Sequence, residues 1–395
     1  MRVLITDGHE RAALATARSL IAAGYEVHVT AARGWSLGGV SRGVRPWVVR
    51  ADPLEQSGVY AAEVGRLARD LDVSVLLPVT DPSVEALLEH QHALPHHAVL
   101  PFPDFATYRR ASDKAEMLRL ACAVGLAVPE TLVLRDRTFE TPDAGFFPAV
   151  IKPHRSVVAA GASREMGRAE RAKQKTAVSQ VADRDACRAA LAALPDGAFP
   201  VLLQRRVQGP GEGLFLLRWN GRVLAAFGHR RLREKPPAGG VSVYRESISV
   251  PPELLAAGTH LLELLEWQGV AMVECKRDPD TGRHVFMEVN GRLWGSLQLA
   301  IDAGVDFPVL LTSCALGESV PAVTGYREGI RSRWFWGDID HLYLRLRDGR
   351  GWAGRLAALR AFLRFGSRED REEIWRWRDP APFIIETLER LGFAR

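Results

Sequence analysis

Three oxygen-bearing side chains and one guanidinium stand close together late in the chain: Glu274, Glu288, Asn290 and Arg292. Glu274 belongs to an apolar run from Val270 to Lys276, and Glu288 and Asn290 belong to a second run from His284 to Asn290. Asp278, Pro279, Asp280 and Gly282 lie between the runs, a turn-forming composition, so the segment reads as a β-hairpin. With the turn centred near Thr281, Glu274 faces Glu288 across the pair. The period of two then places Met272, Glu274, Lys276, Phe286, Glu288 and Asn290 on one face, and Val273, Cys275, Val285, Met287 and Val289 on the other. Directly opposed residues have Cβ atoms about 4.5–5.5 Å apart, and like charges at that separation destabilise a sheet unless a cation lies between them. Magnesium, or manganese, suits the set, because two carboxylates and a carboxamide make an incomplete cage of hard oxygens with positions left for phosphate oxygens and water. A merely solvated hairpin face would carry the same residues. Gly291-Arg292 argues against that, since a cation able to grip a carboxylate or an acyl phosphate follows the ligands directly.

Other cations occupy positions that ask for an anion. Ser112 or Asp113 can cap a helix from Lys114 to about Val124, which puts Lys114 in the positively polarised first turn, where a lysine is better explained by a phosphate near it. Lys152 closes the apolar strand that runs from Phe147 and ends Ala149-Val150-Ile151-Lys152-Pro153, so its ammonium must snorkel or pair with an anion. The stretch His154 to Lys175 is long, polar and basic, with Gly161 and Gly167 among its cations, the composition of a lid over an anionic ligand.

The rest of the sequence must hold these groups in place. At 395 residues the chain exceeds one ordinary hydrophobic core, so two or three domains are expected. A net charge of +5 suits an anionic partner such as a nucleotide but is too small to demand nucleic acid. The four cysteines are scattered without paired spacing and no apolar run approaches the roughly 18 residues of a membrane span, which together imply a cytoplasmic enzyme. Val3 to Thr6, Glu10 to Ala23 and Glu26 to Thr30 make a βαβ opening. Further strands at Trp47 to Val49, Val73 to Val79 and Ala98 to Leu100, with helices at Val59 to Asp70 and Pro82 to Gln91, imply a parallel sheet. The first turn, Asp7-Gly8-His9-Glu10-Arg11, lacks the three glycines of a dinucleotide site. Thr80-Asp81 lies at a strand's carboxyl end, where Asp81 can cap the helix that Pro82 opens. Later, Pro200 to Val207 is a strand entering Gln208 to Gly213, Asn220-Gly221 makes a tight hairpin, and His229 and the loop Arg233 to Gly240 can wall a pocket.

The glutamate on one strand, Glu-Val-Asn closing the next, and the arginine two residues on resemble the magnesium and phosphate site of the ATP-grasp superfamily, especially its biotin carboxylase and carbamoyl phosphate synthetase-like branch. The resemblance runs from the N-terminus to about Val320. It implies an α/β and α+β architecture: a Rossmann-like pre-ATP-grasp domain over 1–105 and a two-subdomain ATP-grasp unit over 106–324, with its lid at about 130–200. Residues 325–395 then form an Arg- and Trp-rich helical C-terminal appendix. Lys114 and Lys152 become nucleotide lysines, the backbone of Arg205, Arg206 and Val207 reads the adenine edge, and Glu212 matches an acidic residue near ribose or acceptor. Glu274, Glu288 and Asn290 hold magnesium, and Arg292 stabilises an acyl phosphate that an amine displaces. A small-molecule carboxylate and an amine are the implied partners, and a homodimer is common among such relatives. Leu293-Trp294-Gly295-Ser296 supplies no carboxylate where biotin carboxylases place a bicarbonate base, so carboxylate–amine ligation is favoured over carboxylation. A catalytically idle nucleotide-binding regulator is the alternative of another class. In the last segment, Gly354 to Phe365 opposes Leu356, Leu359, Phe362 and Leu363 to arginines. Packing of this stripe on the preceding domain is favoured over contact with an anionic membrane surface.

Overall fold

The computed structural model describes residues 1–155, 178–195, 197–348 and 351–393, together with the backbone of Val158–Ala159 and Lys173–Gln174. The expected lid, His154 to Lys175, therefore lies outside the described residues except for His154, Arg155 and the backbone of those two short strands.

Alternation of apolar strands with amphipathic helices gives the expected parallel sheet at the N-terminus. Its order is Arg45–Val48, Glu26–Ala31, Arg2–Ile5, Val75–Leu77. Ala98 to Leu100 contributes a single parallel bridge, Val75 to Val99, rather than a full strand. In the first turn Asp7 adopts a left-handed φ of 57° and accepts hydrogen bonds from Thr6, Ser83 and the Val79 amide. A Cβ on Gly8 would lie 2.6 Å from Ser36 Oγ, so this turn is filled by the chain's own side chains. Thr80, not Asp81, caps the helix Asp81–Glu89, which leaves the Asp81 carboxylate for another partner.

A small antiparallel sheet follows, in the order Thr131–Leu134, Val201–Arg205, Ala149–Pro153, Ser179–Val181. Its apolar side packs on the helix Arg184–Ala192 through Leu134, Ile151, Val181, Cys187, Leu191 and Leu203. The second large element is a seven-stranded sheet: His284–Asn290, Gly269–Arg277, Gly211–Trp219, Arg222–Lys235, Val241–Ile248, Arg331–Arg333, Asp370–Glu372. Asn220 and Gly221, both at positive φ, form the tight turn the sequence signals. One side of this sheet buries Leu214, Leu216, Val273, Cys275 and Phe286 against helices, including Pro252–Leu264.

The C-terminal segment carries the expected helices, Phe335–Arg347, Gly351–Leu363 and Ala381–Arg390, and also supplies the last two strands of the large sheet. The Gly354 to Phe365 stripe packs as favoured only in part: the Arg333 guanidinium lies over the rings of Phe362 and Phe365, 4.1 and 4.8 Å from their centroids. The helix Gly351–Leu363 has no buried residue, and Leu359 and Leu363 are exposed. Attachment runs also through Ile374, buried against Leu14 and Leu37, and through buried ion pairs, which a periodicity argument does not detect. Asp338, fully buried, receives Arg233 at 2.6 and 2.7 Å and Arg333 at 2.7 Å. Glu373 is shared by Arg11 and the fully buried Arg245, Asp379 receives Arg18 at 2.8 Å, and Asp302 receives Arg376 at 2.9 Å. Among the described residues no single helix is long and apolar enough to cross a membrane.

Two expectations follow from this attachment. Removing one member of a buried pair strands the other charge, so Asp338→Ala should destabilise the protein by about 3–5 kcal/mol in denaturant unfolding; a loss below about 1 kcal/mol would show the cluster to be dispensable. Burial raises the carboxyls of Glu372 and Glu386 from the ordinary 4.5 to about 7. The folded state thus favours their protonated forms, and the stability this gives is present below about pH 4.5 and lost as pH rises through about 7. Glu386→Gln should raise the melting temperature at pH 8.5 and do so much less at pH 5.5, as thermal scans at both pH values would show.

Candidate active site

The cleft between the small sheet and the open side of the large sheet has a volume of about 450 Å³. Its wall on the large sheet begins with the hairpin. Glu274 pairs with Glu288 and Met272 with Asn290, the register derived from the sequence. Beyond Glu274 the register slips by one residue, so that Cys275 faces Phe286. The expected face is corrected accordingly: this bulge turns fully buried Phe286 into the core and brings Met287 into the cleft wall beside Glu288. Alternation resumes before the two carboxylates, and their facing arrangement is kept.

Each carboxylate meets a cation. Arg231 Nη2 lies 2.6 Å from Glu274 Oε2, and its Nη1 lies 3.3 Å from Glu234 Oε1. Arg231 reaches Glu274 by crossing the strand between them at Gly211, where a Cβ would lie 2.8 Å from Arg231 Cδ. Gly213, the next residue on that face, pairs with Glu274 on one side and with His229 on the other. Lys114 Nζ lies 3.5 Å from Glu288 Oε2, and Asn290 Nδ2 donates to Glu288 Oε1 at 3.3 Å. Burial alone would raise the Glu288 carboxyl; Lys114, Lys152, the Asn290 amide and Arg292 more than offset it and hold the pKa at about 2. Lys152 shows the reverse balance, its pKa lowered by burial against the pull of Glu288 and Glu274.

The residues present fit a divalent ion. Glu274 and Glu288 are directly opposed and the Asn290 carboxamide stands beside them, so the set offers hard oxygen donors. Among the described residues no cluster of three His, Cys, Asp or Glu forms a closed cage. An open set of this kind is completed by substrate oxygens and water.

The remaining candidates divide. Lys152, Arg205, Arg206, Val207, Glu274, Glu288, Asn290 and Arg292 all line the one cleft. The Arg205 and Arg206 amides already donate to the Glu130 and Pro148 carbonyls, and Lys276 Nζ donates to the Val207 carbonyl. Of the three amides, only that of Val207 has no backbone partner among the described residues. Asp113 caps the helix Lys114–Ala123, and the Lys114 amide donates to His154 O at 2.8 Å, which fixes where the helix starts beside the cleft. Arg292 is nearly buried and donates through Nε to Asp81 Oδ2 at 3.0 Å, while Tyr108 also donates to Asp81. The glycine before it is required, since a Cβ at Gly291 would lie 2.3 Å from the Trp267 ring.

Glu212 does not join them. It alternates with Gly211 and Gly213 and so points to the opposite face of the sheet, where Arg230 and His284 each lie 2.8 Å from its carboxylate. That pairing holds its pKa down against burial. Sequence reasoning also missed Arg231 as the partner of Glu274, although Gly-Glu-Gly in a strand was a signal that something must cross it. Buried, neutral His229 lines the cleft wall as expected; burial, with Arg231 and Arg245 nearby, lowers its pKa well below the ordinary value.

A family model described as ATP-grasp in the biosynthetic pathway with Ter operon matches residues 199–337. Comparison with curated protein sequences finds no match. Among solved structures, an L-amino acid ligase from Bacillus licheniformis aligns at 17% identity with a TM-score of 0.58, covering 80% of this chain and 74% of that one. A biotin carboxylase from Campylobacter jejuni aligns at 14% identity and a TM-score of 0.59, covering 84% and 74%. N5-carboxyaminoimidazole synthetase from Staphylococcus aureus aligns at 12% identity and a TM-score of 0.59, covering 84% and 80%. The family match over residues 199–337 and a fold likeness spanning most of the chain together give this protein the ATP-grasp fold that its sequence resembles.

Proposed function

We propose that the chain is an ADP-forming ligase that uses ATP and magnesium to activate a carboxylate as an acyl phosphate and joins it to an amine. The observation that carries this reading is the facing pair Glu274 and Glu288, with Asn290 beside it and Arg292 two residues on, in a cleft that also holds Lys152. In this reading residues 1–105 form the pre-ATP-grasp domain, 106–324 the ATP-grasp unit and 325–395 the appendix.

Magnesium, when held by Glu274, Glu288 and Asn290, supplies positive charge to the triphosphate oxygens. The chain's own groups do the rest. Lys152 and Lys114 bind phosphate oxygens, releasing Glu288 from its internal pairing as they do so. Arg231 turns its charge from Glu274 toward Glu234, its second carboxylate partner. The Val207 amide supplies a donor for the adenine edge. Arg292, oriented by Asp81, holds the transferred phosphoryl group and the acceptor carboxylate close enough for the carboxylate oxygen to attack. Both reactants are anions, so the main work of the site is to hold them together with fixed cations. After Arg292 the chain supplies Leu293, Trp294, Gly295 and Ser296, with no carboxylate to act on bicarbonate, which favours amine ligation over carboxylation.

Glu288→Gln keeps the shape of the side chain and removes its charge, so magnesium-dependent ADP formation should fall on the order of 100-fold or more with the melting temperature little changed. Unaltered turnover in a folded variant would remove Glu288 from the metal set. Arg292→Lys keeps a charge but loses the planar fork, and turnover should fall on the order of 10²-fold while the calorimetric Kd for ATP stays within a few-fold. A large loss of ATP affinity with normal single-turnover chemistry would instead make Arg292 a nucleotide ligand.

A further inference from the structure

The acceptor end of the cleft is built partly by a residue far from the ATP-grasp unit in sequence. Arg11 opens the helix Arg11–Ala22 of the N-terminal sheet region, and its side chain lines the cleft next to Trp294, Gly295 and Ser296, the residues that follow Arg292. Its guanidinium is held on two sides by the C-terminal segment. Nη1 donates to Glu373 Oε2 at 2.6 Å, and the group lies over the Trp334 ring, 4.1 Å from its centroid. Glu373 is itself fixed by fully buried Arg245. The other nitrogen, Nη2, has no hydrogen-bond partner among the described residues. It stands 3.1 Å from where a Cβ on residue 295 would be, and a glycine there keeps that edge clear.

A guanidinium stacked on one face, tied at one nitrogen and open at the other is arranged to receive a carboxylate. Arg292, in the turn beside it, is held by Asp81 through Nε and in the ligase reading meets the same carboxylate at its reacting end. Arg11 and Val241 also line a second cavity of about 360 Å³, walled by Leu37, Lys235, Trp334 and Glu386, so this space adjoins the cleft at the guanidinium. A carboxylate bound at Arg11 therefore has room beyond it for the rest of its molecule.

We propose that Arg11 anchors the carboxylate of the acceptor substrate, that Trp334 and Glu373 are positioning residues that orient it, and that the acceptor has an extended body that enters the second cavity rather than being bicarbonate or acetate. The proposal rests on the ligase reading for its reaction, but binding tests it separately. The full-length protein is assayed for magnesium-dependent ADP formation with bicarbonate, acetate, phenylacetate and the twenty common amino acids, each with and without ammonium as the amine. In parallel, the MgADP-saturated protein is titrated with the same compounds by thermal shift.

An extended carboxylate should support turnover and raise the melting temperature, and bicarbonate and acetate should do neither. Arg11→Ala should raise the KM for that carboxylate at least 30-fold with the Kd for ATP unchanged, and Arg11→Lys should recover part of the loss. Trp334→Leu should raise KM several-fold with kcat little altered, whereas Trp334→Phe, which keeps a ring under the guanidinium, should stay near wild type. Because Glu373→Gln strands Arg245 and is liable to misfold, the Trp334 pair carries the positioning test. Carboxylate-dependent stabilisation that vanishes in Arg11→Ala, without ADP formation, would support the anchor and overturn the ligase reading. Turnover whose carboxylate KM is the same in Arg11→Ala, equal use of acetate, or no stabilisation by any compound would overturn the anchor.

Discussion

Two carboxylates held directly opposite each other on neighbouring strands are the constraint around which the rest of this protein is arranged. Glu274 and Glu288 cannot both be charged at that separation in a half-buried cleft unless cations are brought to them. Arg231 comes from two strands away, Lys114 from a helix start and Lys152 from the small sheet. In the ligase reading proposed above, the same cations are those that meet the triphosphate, so neutralising the carboxylates and binding the nucleotide use one set of charges.

Small residues allow this crowding. Gly211 and Gly213 clear the floor for Arg231 and His229, and Gly291 lets the turn pass beneath Trp267 so that Arg292 can meet Asp81. The bulge at Met287 has a similar effect. It returns Phe286 to the core without disturbing the carboxylate pair, so packing and charge placement on one strand are satisfied by separate residues.

The C-terminal segment extends this dependence across the chain. Its acids, Asp338, Glu373 and Asp379, meet arginines of the N-terminal region and of the large sheet. Those contacts are buried ion pairs set beside a small apolar cluster in which Ile374 meets Leu14 and Leu37. A buried pair specifies geometry more strictly than hydrophobic contact does, because a misplaced partner leaves an unpaired charge in low dielectric. Such an attachment suits a segment that holds a guanidinium at the rim of the cleft.

The sequence by itself determined whatever depends on local periodicity and turn chemistry. The opposition of Glu274 and Glu288, the parallel N-terminal sheet, the Asn220-Gly221 turn and the helix start at Lys114 all follow from period-two alternation, helical spacing and residues that tolerate positive φ, while the choice of Asp113 over Ser112 as the cap was left to the structure. Tertiary structure decided everything set by approach from another element. Glu212 reads as an acid beside a glycine-rich turn, yet the face it occupies is fixed by pairing with two other strands, and it lies against His284 and Arg230 instead of the cleft. One bulge exchanged Phe286 and Met287, because a single extra residue reverses alternation on its side. Arg11, Arg231 and Asp81 each act through a partner from a separate element, and the Arg11–Glu373 pair spans 362 positions. No periodicity records such a separation; it is set by how elements distant in sequence pack their charges out of water.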